Sequence, residues 1–437
     1  MQPKAFAQHL PKPRILQSKS MTRTPLHICI IGGGFGGFYT ALYLKKYKHL
    51  RQIQTTLIEP NDQFLFTPML YELITRELEE WEVAPTYTSL LTGTNITWKQ
   101  TRATRINLNQ QTVTTEADEV LAYTHLVVAT GAKSRPVDIP GANEHALTFR
   151  SLQDAQLLTA RLAQLVQMRS LSATANLAGR PIRVTVIGGG ASGVELAGKV
   201  SDYLGTSGQV TLVERGDTIL KHFEDGLRRL SQKSLSRRKV RVLTHSAVLA
   251  VKADAVIVQS NASGQTETIP SQMTLWAVGT QPREWIGEQA VAQNERGQLL
   301  TERSLQLLNH RNVFILGDAA DMHSPHQKTA PNTAQAAFQS ASRVAANMAA
   351  ITDIGSKRRV KPFNYLHLGD MLTLGLGEAG LWSFGLTLGG PLAAIARRVV
   401  YIFRMPTRHH QLKVARRTLG LLIQGQLFKI KPKSSRF

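Results

Sequence analysis

The sequence predicts an α/β protein with two parallel βαβ units, the second inserted within the first, and a separate C-terminal region. Three observations support this fold class. The same order of strand, glycine-rich turn, helix and second strand occurs twice in the 437 residues. An apolar strand after the second unit can rejoin the sheet of the first unit. The last part of the chain differs in composition, since no Asp or Glu follows Glu378.

The first unit begins with the apolar strand His27–Ile31, which is followed by a glycine-rich turn and a helical stretch over Phe38–Lys45. A second strand, Gln54–Ile58, ends at the acid Glu59. The turn contains the three glycines of a GxGxxG pattern: Gly32, Gly34 and Gly37.

The second unit repeats this order later in the chain. The strand Arg183–Ile187 leads to a second glycine-rich turn and a helix that ends at Leu204. The following strand, Gln209–Val213, ends at the acid Glu214. The turn glycines occupy the same relative positions as in the first unit: Gly188, Gly190 and Gly193.

Each unit is a fingerprint of a Rossmann-like dinucleotide-binding domain. The first glycine forms the turn, the second lets the backbone approach a diphosphate, and the third lets the helix pack on the strand. The acid accepts hydrogen bonds from ribose hydroxyls, and the diphosphate lies at the helix N-terminus. One GxGxxG pattern is weak evidence, but two complete copies predict two nucleotides. The usual pairing is FAD in the first domain and NADH or NADPH in the second.

Two further strands predict that the second domain interrupts the first. Thr124–Gly131 is an apolar strand that ends in Thr130 and Gly131, where the chain would leave the FAD domain. Asn312–Ala320 is a strand that ends in Gly317 and Asp318. We expect Asp318 to bind the ribityl hydroxyls of FAD, and the alternative is a helix N-cap.

These strands divide the chain into five parts. They are a basic disordered leader (1–24), the first part of the FAD domain (25–150), the NAD(P)H domain (151–282), the second part of the FAD domain (283–360), and a C-terminal region with basic amphipathic membrane-anchoring helices (361–437).

The charge and the cysteine count restrict the function. The formal net charge is +22, and the stretch from Arg397 onward holds 11 Lys or Arg and no acid. Such a terminal segment indicates an anionic partner, and we expect a lipid membrane surface and no nucleic acid. A single cysteine, Cys29, excludes a CxxC redox pair and an all-cysteine zinc site, and we predict no metal. Glycines and Pro391 within Met371–Ala396 favour a buried core segment there over a lipid-spanning helix.

The residues from Ala394 onward predict two amphipathic helices separated near Pro406. Apolar side chains fall on one face of each helix: Ile395, Val399, Ile402 and Phe403, then Leu412, Ala415, Leu419, Leu422 and Ile423. Basic side chains gather elsewhere: Arg397, Arg398, Arg404 and Arg408, then Lys413, Arg416 and Arg417. This pattern predicts helices that lie in a membrane interface, with the basic face on headgroups. The alternative is a helix pair packed on the core or on a second subunit.

Four further stretches, together with the two fingerprints, resemble the type II NADH dehydrogenases, which are single-chain, non-pumping quinone reductases. The resemblance runs from about Leu26 to Gly390, and the third stretch is the most specific. The four stretches are Phe64–Leu70, Trp276–Pro282, Pro331–Gln339 and Pro362–Gly369.

The resemblance implies site residues. Thr67 belongs to the loop beside the flavin, Gly279 to the nicotinamide domain, and Thr333, Ala334 and Gln335 to the pyrimidine edge of the flavin. Gln335 and Gln339 are implied beside the quinone, and Glu195 near the nicotinamide. The positions of the two Gln are consistent with a quinone contact. Residues four apart share a helical face, and both amides can form hydrogen bonds with quinone carbonyls. The alternatives are a polar surface stripe for the two Gln and a first-turn helix acid for Glu195.

The segment Tyr71–Pro85 is longer than in typical respiratory members and resembles the cyanobacterial and plastid branch, which acts on prenylated naphthoquinones such as demethylphylloquinone. We therefore expect electrons to pass from NADH or NADPH through FAD to a membrane quinone, with plastoquinone and menaquinone as other candidates. We expect a peripheral protein on the cytoplasmic face of a bacterial membrane, and a homodimer is left open. The alternatives are a non-quinone flavoprotein reductase and a redox signalling flavoprotein that resembles apoptosis-inducing factors.

Overall fold

A computed structural model describes residues 25–171, 180–322, 330–353 and 357–428 of the chain. The predicted basic leader (1–24) and the last nine residues of the C-terminal region lie outside the described residues.

The first domain begins at the first glycine fingerprint. Its elements are β1 (His27–Ile31), α1 (Phe35–Leu44), β2 (Gln54–Ile58), α2 (Glu80–Val83), α3 (Tyr87–Leu91), β3 (Ile96–Lys99), β4 (Ala103–Asn107), β5 (Thr112–Thr115), β6 (Val120–Ala122), β7 (His125–Val128) and β8 (Ala132–Ser134). Helix α1 begins three residues before the predicted start at Phe38. Gly37 therefore lies inside the helix, at a position where a Cβ would overlap the carbonyl oxygen of Gly32.

The inserted domain follows. Its elements are α4 (Ala142–His145), β9 (Ala146–Thr148), α5 (Leu152–Leu171), β10 (Ile182–Ile187), α6 (Ala191–Leu204), β11 (Gly208–Val213), α7 (Asp225–Arg237), β12 (Arg241–Leu243), β13 (Ser246–Val251), β14 (Ala255–Ser260), β15 (Thr266–Pro270), β16 (Met273–Trp276) and β17 (Thr280–Pro282). Five parallel strands form its main sheet in the order β12-β11-β10-β16-β9, and β13 to β15 form an antiparallel sheet.

The chain then returns to the first domain and continues into the C-terminal region. The remaining elements of the first domain are β18 (Leu299–Leu300), β19 (Gln306–Leu307), β20 (His310–Ile315), β21 (Ala320–Asp321) and α8 (Ala334–Thr352). Those of the C-terminal region are β22 (Asp370–Gly375), β23 (Glu378–Ser383), β24 (Leu386–Gly390), α9 (Pro391–Arg404) and α10 (Arg408–Ile423). Strand β20 pairs in parallel with β7 and completes a six-stranded sheet in the order β19-β20-β7-β1-β2-β3. The second domain is therefore inserted in the first, as predicted.

The two crossings between the domains lie side by side. Strand β8 leaves the first domain, β17 returns to it, and the two pair in antiparallel fashion. The predicted boundary at residue 150 is too late, because β9 already pairs with β16 in the second sheet. This strand has only three half-buried residues, too short a run to stand out in the sequence.

The C-terminal region is a small antiparallel sheet followed by two helices. The stretch Met371–Ala396 forms most of β22, then β23 and β24, and the start of α9. Strand β22 packs closely on α6 of the inserted domain, since a Cβ at Gly198 would lie 2.8 Å from the carbonyl oxygen of Leu374. Within the described residues, no helix is both long and apolar enough to cross a bilayer.

Candidate active site

One large cavity, of about 1270 Å³, lies between the two domains and the C-terminal helix α9. Its wall includes the start of α1, the start of α6, the N-terminal end of α8 and the inner side of α9. Nine of the predicted site residues line it: Gly34, Thr67, Gly131, Glu195, Gly317, Asp318, Thr333, Ala334 and Gln335.

The first glycine loop is held from both sides. Gly32 has a φ of +98°, and its N–H donates to the Ile58 carbonyl at 2.9 Å. The carboxylate of Glu59 accepts from the Gly33 N–H at 2.7 Å, and the Tyr87 hydroxyl donates to the Gly33 carbonyl at 2.7 Å. A Cβ at Gly34 would meet no atom within 4 Å, so the wall in front of α1 has room for a diphosphate.

Asp318 lies where the last strand of the first sheet ends. It belongs to the 3₁₀ turn Gly317–Ala319, whose N-cap is Leu316, so the N-cap alternative for Asp318 is wrong. Burial raises the pKa of Asp318, and the Arg150 guanidinium opposes that rise. Thr130 lies between two cavity-lining residues but does not line the cavity itself. A half-buried carboxylate facing the cavity suits the hydroxyls of a bound ribityl chain.

The second glycine loop repeats the first. Gly188 has a φ of +108°, and a Cβ at Gly193 would overlap the Gly188 carbonyl oxygen. The two carboxylate oxygens of Glu214 accept from backbone N–H groups, Gly189 at 2.6 Å and Gly216 at 2.5 Å. Gly190 is the N-cap of α6.

Gly279 follows the last strand of the second sheet. Its φ is +81°, a value that favours glycine, and its carbonyl accepts from the Arg135 N–H at 3.3 Å. It therefore belongs to the crossing between the domains.

The two predicted glutamines hold the segment that follows helix α8. Gln335 accepts from the Leu368 N–H and the Tyr365 hydroxyl, both at 3.0 Å, and donates to the Gly369 carbonyl at 3.2 Å. Gln339 accepts from the Leu366 N–H at 3.0 Å and donates to the Leu366 carbonyl at 2.7 Å.

Both amides are thus engaged, and the alternative of a polar surface stripe is wrong. Only Gln335 lines the cavity, so a quinone contact of Gln339 stays a prediction. Thr333 is the N-cap of α8, and its hydroxyl accepts from the Ala336 N–H at 3.2 Å.

Glu195 is a buried acid in the cavity wall. Helix α6 begins at Ala191, so Glu195 lies beyond the first turn, and the first-turn alternative is wrong. Its carboxylate accepts from the Thr373 N–H at 2.9 Å and lies 3.7 Å from the Arg397 guanidinium. Burial raises the pKa of Glu195 to about 8, although Arg397 opposes the rise.

A network of charged side chains lies around Glu195, and no sequence pattern predicts it. Three of its links connect the segment that resembles the plastid branch to other parts of the chain. They are the ion pairs of Glu72 with Arg397, of Glu77 with Lys199, and of Glu82 with Arg417. The only sequence signal was the run of acids in Tyr71–Pro85, which is difficult to distinguish from a solvated surface.

This network corrects the prediction for the C-terminal helices. Arg397 and Arg398 are each 4% exposed, and Arg398 lies 3.8 Å from Glu82. Together with Arg417, they face the protein and not the headgroups, so their assignment to an outward basic face is wrong. The helix bounds agree with the two predicted helices, with the break around Pro406.

Cys29 is fully buried in β1, and burial raises the pKa of its thiol to about 12. Such a thiol does not act as a nucleophile at neutral pH. In the described parts of the chain, no group of three or more His, Cys, Asp or Glu side chains is arranged to hold a metal ion.

Two parallel sheets, each with a glycine loop at a helix start and an acid bonded to that loop, define a two-nucleotide flavoprotein. The open wall at Gly34 and the half-buried Asp318 fit a bound FAD. When bound, FAD supplies the ring that accepts a hydride and passes electrons on.

Comparisons with known proteins agree with this class. Residues 26–341 match the pyridine nucleotide-disulphide oxidoreductase family. A demethylphylloquinone reductase of Synechocystis sp. is 38% identical over 400 residues, which cover 90% of this chain and 96% of that protein. The alternative NAD(P)H-ubiquinone oxidoreductase C1 of Arabidopsis thaliana is 34% identical and covers 89% of this chain and 79% of its own length.

A solved structure of NDH2 from Plasmodium falciparum in complex with NADH has the same fold. It has a TM-score of 0.79 at 18% identity and covers 90% of this chain and 98% of its own. The chain belongs to the pyridine nucleotide-disulphide oxidoreductase family and, within it, to the type II NAD(P)H:quinone oxidoreductases. The predicted fold, enzyme class and cofactors, FAD and NAD(P)H, are confirmed.

Proposed function

We propose that this enzyme oxidises NADH or NADPH and reduces a prenylated naphthoquinone, such as demethylphylloquinone, at a membrane surface. The two sides of helix α9 carry this proposal. Tyr401 and Arg404 on its inner side line the cavity, while Leu392 and Phe403 on its outer side are 70% and 75% exposed. A long-chain quinone could therefore reach the cavity from lipid by passing a single helix. The similarity to a demethylphylloquinone reductase supports a naphthoquinone ring.

The outward side that would contact lipid carries many apolar side chains. They lie on helix α9 and on two elements that contact it, helix α10 and the β23–β24 hairpin. Its exposed apolar side chains are Phe384, Leu386, Leu388, Leu392, Val399, Phe403, Leu412, Leu419, Leu422 and Ile423. Groups of exposed apolar side chains mark membrane or protein interfaces. Helix α10 also carries three exposed cations that would contact anionic headgroups on the cytoplasmic side: Arg408, Lys413 and Arg416.

The cavity suggests how the residues divide the work. The loop at Gly32, Gly34 and Gly37, with Glu59, would hold the adenosine and diphosphate of FAD. Residues around the cavity would hold the rest of FAD: Thr67, Thr130, Gly131, Gly317, Asp318, Thr333 and Ala334. The loop of Gly188, Gly190 and Gly193, with Glu214 and Gly279, would hold the nicotinamide nucleotide. Glu195 and Gln335 would face the reacting rings.

The test compares quinones that share a prenyl tail but differ in the ring. Purified holoenzyme in anionic liposomes is assayed for NADH and NADPH oxidation with a naphthoquinone and a benzoquinone. We expect kcat/KM to favour the naphthoquinone by about tenfold, or ~1.4 kcal/mol of transition-state stabilisation. Equal values would reject the naphthoquinone assignment. Absence of turnover with both would instead favour a non-quinone reductase.

The same assay tests the partners. Added DNA should leave the rate unchanged, because we propose no role for nucleic acid.

Analytical ultracentrifugation in detergent tests whether a second copy of the chain, and not lipid, covers the apolar face. A stable dimer that no longer binds liposomes would contradict membrane attachment through this face.

A further inference from the structure

Three side chains of the segment 365–370 form a hydrogen-bonded chain beside Gln335. The Tyr365 hydroxyl lies 3.0 Å from the Gln335 carbonyl oxygen and 3.2 Å from Nδ1 of His367. On the other side of the ring, Nε2 of His367 lies 3.3 Å from a carboxylate oxygen of Asp370. All four residues line the large cavity.

The three groups differ in their access to solvent. Tyr365 is buried, whereas the side chains of His367 and Asp370 are 35% and 27% exposed. The imidazole stacks on Trp382 with ring centroids 5.7 Å apart, which fixes the plane of the ring. A hydroxyl, an imidazole and a carboxylate in this order form the arrangement that catalytic triads use to move one proton.

The reaction of the family requires one proton from water. Reduction of a quinone to a quinol takes two electrons and two protons. A hydride from NAD(P)H supplies both electrons and one proton, so the balance is NAD(P)H + H⁺ + quinone → NAD(P)⁺ + quinol. The buried cavity therefore needs a donor that can be reloaded from solvent.

We propose that Tyr365 donates the solvent-derived proton to a quinone oxygen and that His367, held by Asp370, reloads it. The Tyr365 O–H bond breaks as the quinol O–H bond forms, and the proton on Nδ1 of the His367 imidazolium moves to the tyrosine oxygen. The Nε2–H stays bonded to the Asp370 carboxylate, and the H⁺ taken from solvent then binds Nδ1 and restores the imidazolium. This inference rests on quinone reduction as the function.

The groups around the chain are consistent with this direction of transfer. Burial is the main cause that raises the pKa of Tyr365, Asp370 adds to the rise, and Thr333 and Arg404 oppose it, so the phenol keeps its proton until it is used. Burial also raises the pKa of Asp370, and Glu224 adds to the rise, while His367 opposes it. Gln335 fixes the position of the segment through Leu368 and Gly369.

The experiment separates the two half-reactions of the FAD-loaded enzyme by stopped flow. The variant Tyr365→Phe keeps the ring and removes only the hydroxyl. We expect NADH to reduce the flavin of this variant at the wild-type rate. Reoxidation by a short-chain quinone should slow by about a hundredfold, the low end of the range for general acid catalysis. Ferricyanide, which takes electrons without protons, should reoxidise the variant as fast as the wild type.

Tyr123→Phe is the matched control, since Tyr123 is also buried but does not line the cavity. It should change neither half-reaction. His367→Gln and Asp370→Asn test the positioning roles, and each should alter the pH dependence of quinone reoxidation and its solvent isotope effect.

Quinone reoxidation of Tyr365→Phe at the wild-type rate would overturn the relay while leaving the quinone function intact. An equal loss with quinone and ferricyanide would also overturn it, because the hydroxyl would then have only a structural role. If no quinone reoxidised the wild-type enzyme, quinone reduction itself would be rejected as the function.

Discussion

At the scale of single residues, protonation of the Glu195 carboxyl makes the free energy of unfolding depend on pH. Burial raises its pKa from an ordinary value of 4.5 to about 8. Between these values the native state holds a proton that the unfolded chain has lost. The stability that this proton contributes is therefore complete at low pH, and it falls by ~1.4 kcal/mol per pH unit until the folded carboxyl titrates.

Glu195→Gln mimics the protonated carboxyl and should remove this pH dependence. We expect the thermal midpoint of the wild type to fall relative to that of the variant from about pH 5 to about pH 8, and then to run parallel with it. The measurement is the midpoint of both proteins across this range in the same buffer series. Two parallel curves throughout would mean that Glu195 is ionised in the folded protein.

Glu214 should set the choice of nicotinamide. Its carboxylate is bonded to the loop at the position where a ribose diol is expected, and a 2′-phosphate there would be repelled. The exposed Arg215 follows and softens that repulsion, so we expect NADH to be used with partial tolerance of NADPH. Glu214→Ala should lower the ratio of kcat/KM for NADH over NADPH, and an unchanged ratio would disprove the assignment.

Gln339 lies next to the segment that carries Tyr365 and His367. Gln339→Leu keeps the bulk of the side chain but leaves both backbone groups of Leu366 without their partner. We expect full FAD content and normal flavin reduction by NADH, with slower reoxidation by quinone. Absorbance of the bound flavin measures content, and stopped flow measures each half-reaction. Equal losses in both half-reactions would argue against a role on the quinone side.

At the scale of elements, helix α9 shows what periodicity can and cannot predict. The 3.6-residue repeat placed Val399 and Phe403 on one face, and both are exposed, but Ile402, assigned to the same face, is buried in the core. It could not show which face turns inward, since Glu72, which pairs with Arg397, and Glu82, which lies beside Arg398, are more than 300 positions earlier in the chain. The strands β1 and β2 were predicted to the residue because their apolar runs end at glycine or an acid.

The same separation in sequence explains the gaps in the predicted site. The glycine loops and Asp318 are local patterns, and each was assigned from its neighbours. The bonds of Gln335 and Gln339 to the segment 365–369, and the pairing of Glu77 with Lys199, connect residues that no local pattern links.

Membrane attachment should depend more on the apolar face of α9 than on its arginines. Val399→Ser combined with Phe403→Ser removes two outward side chains, each worth about 1.5–3 kcal/mol when buried. We expect liposome binding in a flotation assay to fall by at least about tenfold. Leu249→Ser, an exposed apolar residue of the inserted domain, is the control and should bind as the wild type does. Wild-type flotation of the double variant would place the anchor elsewhere.

Deletion of residues 394–437 is a poor substitute for these point variants. It would remove Arg397, Arg398 and Arg417, and Glu72 and Glu82 would remain buried without their partners. Loss of one partner from a buried pair costs about 3–5 kcal/mol, so a truncated protein would fail to fold for reasons unrelated to lipid.

At the scale of the whole molecule, the pair of Lys199 and Glu77 joins the inserted domain to the first domain. Lys199 is fully buried on α6, and Glu77 also accepts from the Gly377 N–H at 3.3 Å. Lys199→Met leaves a buried carboxylate without its cation and should cost about 3–5 kcal/mol. The double variant with Glu77→Gln should recover part of this loss, as measured by the thermal midpoint. An equal loss in both variants would show that the pair contributes through packing alone.

The paired crossings β8 and β17 have a consequence for how such a protein can be assembled. Ser134 lies opposite Thr280 and Ala132 lies opposite Pro282, so the inserted domain leaves and rejoins its host at neighbouring points. A gene segment that encodes it could be exchanged for a homologous one without a new spacer, because both cut ends already lie one strand apart. The molecule is in this sense modular: the second nucleotide-binding domain is one continuous segment of the chain, whereas the first is assembled from the parts on either side of it.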